Sequence, residues 1–542
     1  MLKKLHGRKL AVCLLGGAMY ALFSAFGWQA EHGGVIWAGG ALLVAALLVW
    51  PIAALLAVLL ERGYTRALRQ QKPFRAGRAF AFMLACYVPM FCVAFPGSFA
   101  YDVPYQLRQV VTGAYSTHHP LLHTLALGGL LQLGRALGDI NLGAALYTAL
   151  QMALLAGCFA LTCGSIARQS GARAAKRAAV FFALYPLNMV MAVNATKDVL
   201  FGGFFALTLA LLNEMQERPS RGLTLKIAVC GALAVMLRNN MAYAALVWLA
   251  LLTIGLRKGE KSAALAVLLA LAVGLCGNAA LKRATRAESG DMSEMLSWPI
   301  QQLARARLYD EDRLTDAEKE AIDELMPGEA WACYDPTISD PVKFEFDTQT
   351  FRADVKKYVG VWLSVGKKCA GTYLDATMAL TYPFFYPYRE YRVSGYYVQM
   401  GMSDAYDAIW CDFDPPESRS LFPRALASLS WRFGAKGAMQ IPVVGWLFNM
   451  GVIVWTMLFF ALREMYWGRW RRFGTALLPV LLWGTFLLGP VMAGRYIYPF
   501  VCALPVLAAR PGRSVNVNGK VSDTQESQIP AGIRGGYHHE TG

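Results

Sequence analysis

The chain has 542 residues, of which 56% are hydrophobic and only 16% charged. That is too apolar for an ordinary soluble domain. Its formal net charge is +16, from 52 Lys and Arg against 36 Asp and Glu. These cations sit in short loops between apolar runs, as the positive-inside rule for membrane topology requires. No basic, aromatic-bearing soluble module is present, which argues against nucleic acid as a partner.

Apolar runs near bilayer length predict an all-α polytopic membrane protein with about twelve transmembrane helices. The runs are continuous rather than alternating, which argues against membrane-spanning strands. The first two fall near 10–27 and 35–60. The first follows Lys3, Lys4, Arg8 and Lys9, but it is long and lacks a small-residue cleavage site, so it reads as a retained span. The third, 79–96, leads into Pro96-Gly97-Ser98-Phe99-Ala100-Tyr101-Asp102-Val103-Pro104-Tyr105, and Tyr115-Ser116-Thr117-His118-His119-Pro120 follows. The run 121–134 is short for a span and reads as an interfacial or re-entrant helix. Further spans are expected near 140–166, 178–194, 197–213, 226–237, 241–256 and 262–281, and finally near 440–462, 474–491 and 495–510.

Charge supports leaving 121–134 uncrossed. The basic loops 1–9, 61–78, 167–177, 214–226, 257–261 and 463–472 then share one side. The other side receives 28–34, 97–139, the Thr196-Lys197-Asp198 turn and the loop 282–439. Asp102, His118, His119, Lys197 and Asp198 are therefore expected together on the extracytoplasmic side. The first arm of the hairpin 226–237/241–256 looks too short to cross. A half-depth hairpin would bury its tip, Arg238-Asn239-Asn240, where an arginine normally faces a polar cavity.

The loop 282–439, roughly 155 residues, is large enough for a small domain. Helices are expected from Met295 to Leu308 and from Thr315 to Met326, the second opening on a Thr-Asp-Ala-Glu capping box. The stretch Thr381-Tyr382-Pro383-Phe384-Phe385-Tyr386-Pro387-Tyr388 reads as a loop at the membrane interface, or as a surface that contacts sugar or lipid. The 11 cysteines form no CxxC pair, so a zinc site is not indicated. Cys333, Cys369 and Cys411 lie in the large loop, where two could form a disulfide outside the cytoplasm. The polar tail after Arg510 reads as disordered and cytoplasmic.

Several charged or polar residues invite a chemical reading. Asp102 precedes apolar Val103, Leu107, Val110 and Val111 at helical spacing, which suits a helix N-cap. It also suits a general base or a metal ligand at the membrane surface. His118-His119-Pro120 suits a loop entering a helix, and equally a partner for phosphate or hydroxyl. Lys197-Asp198 is either a self-satisfied ion pair or a phosphate-binding point charge. Arg495 opens Arg495-Tyr496-Ile497-Tyr498-Pro499 and can snorkel to the interface; Arg238 is harder to explain that way. Gln301, Gln302 and Arg305 line an amphipathic helix. No Walker, dinucleotide-binding or Gly-x-Ser-x-Gly motif is present.

The order and sidedness of these motifs resemble those of the C-type (GT-C) membrane glycosyltransferases, which use polyprenyl-phosphate sugars. Asp102 matches their acid after a span, His119-Pro120 their His-Pro element, Asp198 their second external acid with Lys197 beside it, and Arg495-Tyr496 the start of their last span. A closer resemblance, over about residues 80–500, is to uncharacterised bacterial membrane proteins that share His-His-Pro (118–120), Lys-Asp (197–198), Arg-Asn-Asn (238–240) and Pro-Ile-Gln-Gln-Leu-Ala-Arg (299–305). Two things depart from the pattern: two extra spans precede Asp102, and no second carboxylate stands beside it. A single carboxylate is a poor Mg or Mn site, so a divalent cation is only an option.

The resemblance implies a GT-C-like organisation. A two-span extension (1–78) precedes a transmembrane core (79–281) with external loop 97–139. An extracytoplasmic loop domain (282–439), C-terminal spans (440–510) and the cytoplasmic tail (511–542) follow. It implies an inverting hexosyl- or pentosyl-transferase of the bacterial cytoplasmic membrane, with both termini cytoplasmic. The sugar would pass from a polyprenyl-phosphate donor to an extracytoplasmic acceptor: a cell-envelope glycan, a lipid or a protein. Asp102 would be the catalytic base. His118, His119, Lys197, Asp198, Arg238, Asn239, Gln301, Gln302, Arg305 and Arg495 would bind substrate. A transporter or flippase of lipid-linked envelope precursors is the alternative.

Overall fold

The computed structural model describes residues 5, 7–32, 40–62, 73–100, 102–255, 260–387, 400–402, 415–434, 441 and 443–510. Among them the regular structure is helical, joined by isolated β-bridges. Among the described residues six helices are long and apolar enough to cross a membrane, which is the build of a multi-pass membrane protein.

α1 (Arg8–His32) and α2 (Gly40–Arg62) pack together and against the helix Met450–Tyr466. At one end of this group Lys9 Nζ meets Glu61 at 2.7 Å, and the Tyr466 hydroxyl donates to the same carboxylate at 2.7 Å. α3 (Ala76–Ala94) follows, then α4 (Val103–Thr112), α5 (Leu121–Ala136), α6 (Ile140–Ser170), α7 (Ala172–Leu184), α8 (Pro186–Ala192) and α9 (Lys197–Glu217). α9 is the axis of the bundle, with 89% of its apolar window buried; α6, α10 (Arg221–Leu237) and the helix Tyr498–Ala508 surround it.

α5 is tied at both ends to the same end of the bundle. Its first residues adjoin His119, which faces Asp102. Just past its last turn, Asp139 pairs with Arg419, whose backbone N–H bonds the Phe95 carbonyl at the end of α3. Both ends thus sit at one end of the bundle. The basic turns gather at the other, where Arg168 pairs with Glu214 and Arg472 with Glu217.

Three expected spans are corrected. The run 178–194 is not one helix, because Pro186 forces Tyr185 into an extended conformation (φ −65°, ψ 121°) and splits it into α7 and α8. The arm expected at 226–237 begins at Arg221, where the Ser220 side chain caps the Leu223 N–H; exposed Lys226 does not interrupt it. At 17 residues, about 25 Å long, it runs the length of its partner α9 and brings Arg238 level with the start of that helix. The tip therefore lies at the same end of the bundle as the start of α9. In the run 440–462 a short 3-10 turn, Val444–Leu447, precedes the long helix, which starts at Met450 with Asn449 as its cap.

α11 (Asn239–Gly255) and α12 (Lys261–Thr285) complete the first half. The segment that follows has an apolar core of its own, built on Ile300, Leu303, Ile322, Val342 and Val365. Its helices are α13 (Ser297–Tyr309), α14 (Asp316–Leu325), α15 (Asp340–Lys343), α16 (Thr348–Ala353), α17 (Val355–Lys368) and α18 (Ala370–Thr381). The Thr315–Glu318 capping box is formed in both directions.

The aromatic stretch after α18 is not a surface. Tyr382, Phe384, Phe385 and Tyr386 are buried in the bundle core, and Phe385 stacks on Phe23 with ring centres 4.9 Å apart. Tyr386 comes so close to α1 that a Cβ on Gly27 would stand 2.4 Å from its ring. Tyr388 lies outside the described residues. Cys333 and Cys369 are free thiols, and Cys411 lies outside the described residues.

Candidate functional site: a charge cluster at the end of the bundle

The segment after α3 is held to the segment before α9 by backbone hydrogen bonds. Ser98 N–H donates to the Val193 carbonyl at 2.8 Å, and Ala195 N–H donates to the Ser98 carbonyl at 2.8 Å. Gly97 makes this approach possible: its φ is +143°, and a Cβ there would stand 2.2 Å from Thr148 Oγ1. The bridge sets Asp102, at the entry to α4, opposite Lys197, the first residue of α9.

Asp102 occupies the position before α4 but is not its cap. Its backbone is helical (φ −79°, ψ −12°) and its side chain makes no capping hydrogen bond. The carboxylate turns instead to three groups. Lys197 Nζ donates to Oδ2 at 2.7 Å, Arg495 Nη2 donates to Oδ1 at 3.1 Å, and His119 Nδ1 lies 3.7 Å from Oδ2. Asp198, fully buried, faces the other way. Arg238 donates to its Oδ1, and Arg495 Nε lies 3.9 Å from its Oδ2. Thr196 caps α9 and also donates to Asp198 Oδ2 at 3.3 Å. Arg238 is flanked by the Phe486 and Tyr496 rings, each 4.5 Å from its guanidinium carbon.

The cluster holds three cations, Lys197, Arg238 and Arg495, against two carboxylates, Asp102 and Asp198. One positive charge is left over. Burial alone would favour a neutral Asp102, but Arg495 and Lys197 overcome it and hold the carboxyl well below the usual range. Burial pushes His119 down to about 3, against the pull of Asp102, so it is neutral near pH 7. The surplus is therefore not cancelled, and it is not inflated by histidine.

The other expected residues lie elsewhere. His118 is exposed, 4.0 Å from Glu294. Asn239 is exposed, while its neighbour Asn240 bonds Thr485. Gln301 donates to the Asp335 and Ile338 carbonyls, and Gln302 donates to Thr377 and accepts from Trp362. Arg305 donates to the Tyr334 hydroxyl. All three make their hydrogen bonds within the segment from α13 to α18, away from the charge cluster. That segment nonetheless reaches the site, because Trp298 bonds the Leu487 carbonyl and Ser339 bonds the Pro490 carbonyl, a few residues before Arg495.

His123, one turn after His119 on α5, escaped the sequence reading. It is 2% exposed and joins a hydrogen-bonded chain with Gln106, Tyr147 and Gln151. The i, i+4 spacing of the two histidines was the one signal that could have marked it.

A divalent cation does not fit the carboxylates. Each of their four oxygens already faces a cation, and a metal ion would stand against three fixed positive charges. No group of three or more His, Cys, Asp or Glu able to hold a metal occurs among the described residues.

Residues 111–523 match the family of unknown function DUF6020. The chain belongs to that family. The match takes in His119, Lys197, Asp198, Arg238 and Arg495 and begins nine residues after Asp102. No curated protein and no solved structure matches the chain.

Proposed function

We propose that this DUF6020 member is an inverting membrane glycosyltransferase that takes a sugar from a polyprenyl-phosphate donor and gives it to an extracytoplasmic hydroxyl. The observation that carries the reading is the surplus positive charge, built from four distant segments at the end of an apolar bundle. A lipid-borne phosphate is the ligand that such a place suits: its tail stays in the bilayer while its anion meets placed cations.

The donor phosphate pairs with Lys197 and Arg495, and in doing so draws both away from Asp102. This step matters because a carboxylate pinned between two cations is a weak base. Once released, Asp102 accepts the proton of the acceptor hydroxyl. The acceptor oxygen bonds the anomeric carbon as the carbon–oxygen bond to phosphate breaks, and the leaving phosphate keeps the electron pair. Lys197 and Arg495 stabilise its growing charge. Asp198 keeps Arg238 and Arg495 from turning away. Neutral His119 orients the hydroxyl beside Asp102. The metal option is set aside, since the three cations take its electrostatic role.

The topology that goes with this reading has about twelve crossings. Both termini are cytoplasmic, the 282–439 segment is an extracytoplasmic domain, and the protein lies in the bacterial cytoplasmic membrane. Cysteine labelling tests it: positions 125–130 should react from outside and 170–175 only from inside.

The deciding experiment incubates purified protein in nanodiscs with a panel of synthetic polyprenyl-phosphate sugars. Wild type should transfer sugar and Asp102→Asn should not. If wild type transfers from no donor but moves lipid-linked substrate across vesicles, a transporter replaces the enzyme.

A further inference from the structure

Five side chains, none more than 3% exposed, run between the two halves of the charge cluster: Gln106, His123, Thr124, Tyr147 and Gln151. Gln106 lies one turn along α4 from Asp102, and its N–H bonds the Asp102 carbonyl at 3.0 Å. At the far end Gln151 Nε2 donates to the Ala192 and Asn194 carbonyls at 3.0 and 2.9 Å. Those carbonyls belong to the strap that ends at Thr196 and Lys197.

The direction of every hydrogen bond follows from that far end. Both Gln151 protons are used, so its Oε1 must accept, and the Tyr147 hydroxyl donates to it at 3.0 Å. Tyr147 oxygen then accepts from His123 Nε2–H at 2.8 Å. His123 Nδ1, left without a proton, accepts from Gln106 Nε2 at 3.0 Å, and the same amide donates to Thr124 Oγ1 at 2.9 Å. With the imidazole neutral, the chain closes when the proton is on Nε2; Gln106 Oε1, 3.1 Å from Nδ1, would serve a second ring proton only in the charged form. Burial favours that form, pushing His123 down to about 3.

We infer that His123 is a positioning residue: through Tyr147 and Gln151 it holds the strap before α9 so that Lys197 stands against Asp102. The hydrogen bonds of the five side chains run to one another and to backbone rather than to the cluster's charged groups, so they act through the backbone that carries it. The value of Lys197 to a donor phosphate rests on the function proposed above; the wiring does not, and it is tested without any ligand.

Lys197 is largely shielded and paired, whereas Lys367 is exposed and serves as the control. The rate of labelling by a small amine-reactive acetylating reagent is read at both lysines by mass spectrometry, in folded protein selected by size-exclusion chromatography. Tyr147→Phe removes one oxygen and takes away the partner of Gln151 Oε1 and of His123 Nε2. Labelling of Lys197 should then rise about tenfold, the scale of one buried hydrogen bond lost, while Lys367 stays unchanged. His123→Leu should act likewise. His123→Gln, which can still present an N–H to Tyr147, should return Lys197 to near the wild-type rate. A merely structural role would lower the melting temperature without moving Lys197 alone or ranking Gln above Leu. The inference is overturned if folded Tyr147→Phe and His123→Leu label Lys197 at the wild-type rate, or if His123→Gln labels as fast as His123→Leu.

Discussion

Replacing Asp102 with Asn should tighten phosphate binding while abolishing transfer. The substitution keeps the size of the side chain and one acceptor oxygen but removes its charge. The cluster then holds three cations against one carboxylate, so the surplus rises from one to two. Lys197 at 2.7 Å and Arg495 at 3.1 Å both lose an anionic partner. Removing one member of a buried ion pair costs about 3–5 kcal/mol. The retained amide oxygen puts this case near the lower end, at about 3 kcal/mol. In wild type a donor phosphate must displace the Asp102 carboxylate from those cations; in the variant that competing charge is gone. If about half of that cost is returned on binding, affinity for polyprenyl monophosphate improves about tenfold. Transfer should fall by about 10²–10⁴, the usual share of a general base. The assays are a titration of polyprenyl monophosphate in nanodiscs, a melting curve with and without it, and sugar transfer. Weaker binding by the variant than by wild type would refute the idea that phosphate and Asp102 compete for the same cations. Transfer at the wild-type rate would remove Asp102 from the chemistry.

Asp198→Asn strands Arg238 in a site where the carboxylate is fully buried, so a loss of about 3–5 kcal/mol is expected. Adding Arg238→Met should recover part of it, and a double-mutant cycle of melting temperatures reads the coupling. Stability should also fall as pH drops from about 6.5 toward 3. His119 and His123 have folded values near 3, below the unfolded value, so the unfolded chain takes the proton first and gains on acidification. His123→Gln should flatten that slope in a series of melting curves. Asp102 works at lower pH: its folded value is depressed, so its contribution is whole above about pH 4 and is lost only as pH falls through the folded value. Excess EDTA should leave transfer unchanged, and a loss restored by Mg or Mn would contradict the three-cation account.

The charged members of the site were visible in the sequence because charge is expensive beside apolar runs. Asp102, Lys197, Arg238 and Arg495 each stood out at the end of such a run, and the structure brings all four together. Other features read differently once the chain is packed. Gln301, Gln302 and Arg305 form a conspicuous motif, but their partners lie within their own segment. The aromatic run after α18 looks like an interface but is core, since what covers it comes from α1 and from the helix Met450–Tyr466. His123, Gln106, Tyr147 and Gln151 were inconspicuous, because a polar residue on a helix says nothing of the helix face opposite it.

By itself the sequence determined that this is a helical membrane protein, roughly where its long apolar helices lie, and which charges need an explanation. Burial of an apolar run and capping by a nearby side chain are local matters, settled within one or two turns. Only the tertiary structure decided that Asp102 is an ion-pair partner rather than a cap. Its two cations lie 95 and 393 residues away, and no local energy relates positions that far apart. The bundle had to be packed before three cations and two carboxylates became one site with a charge to spare.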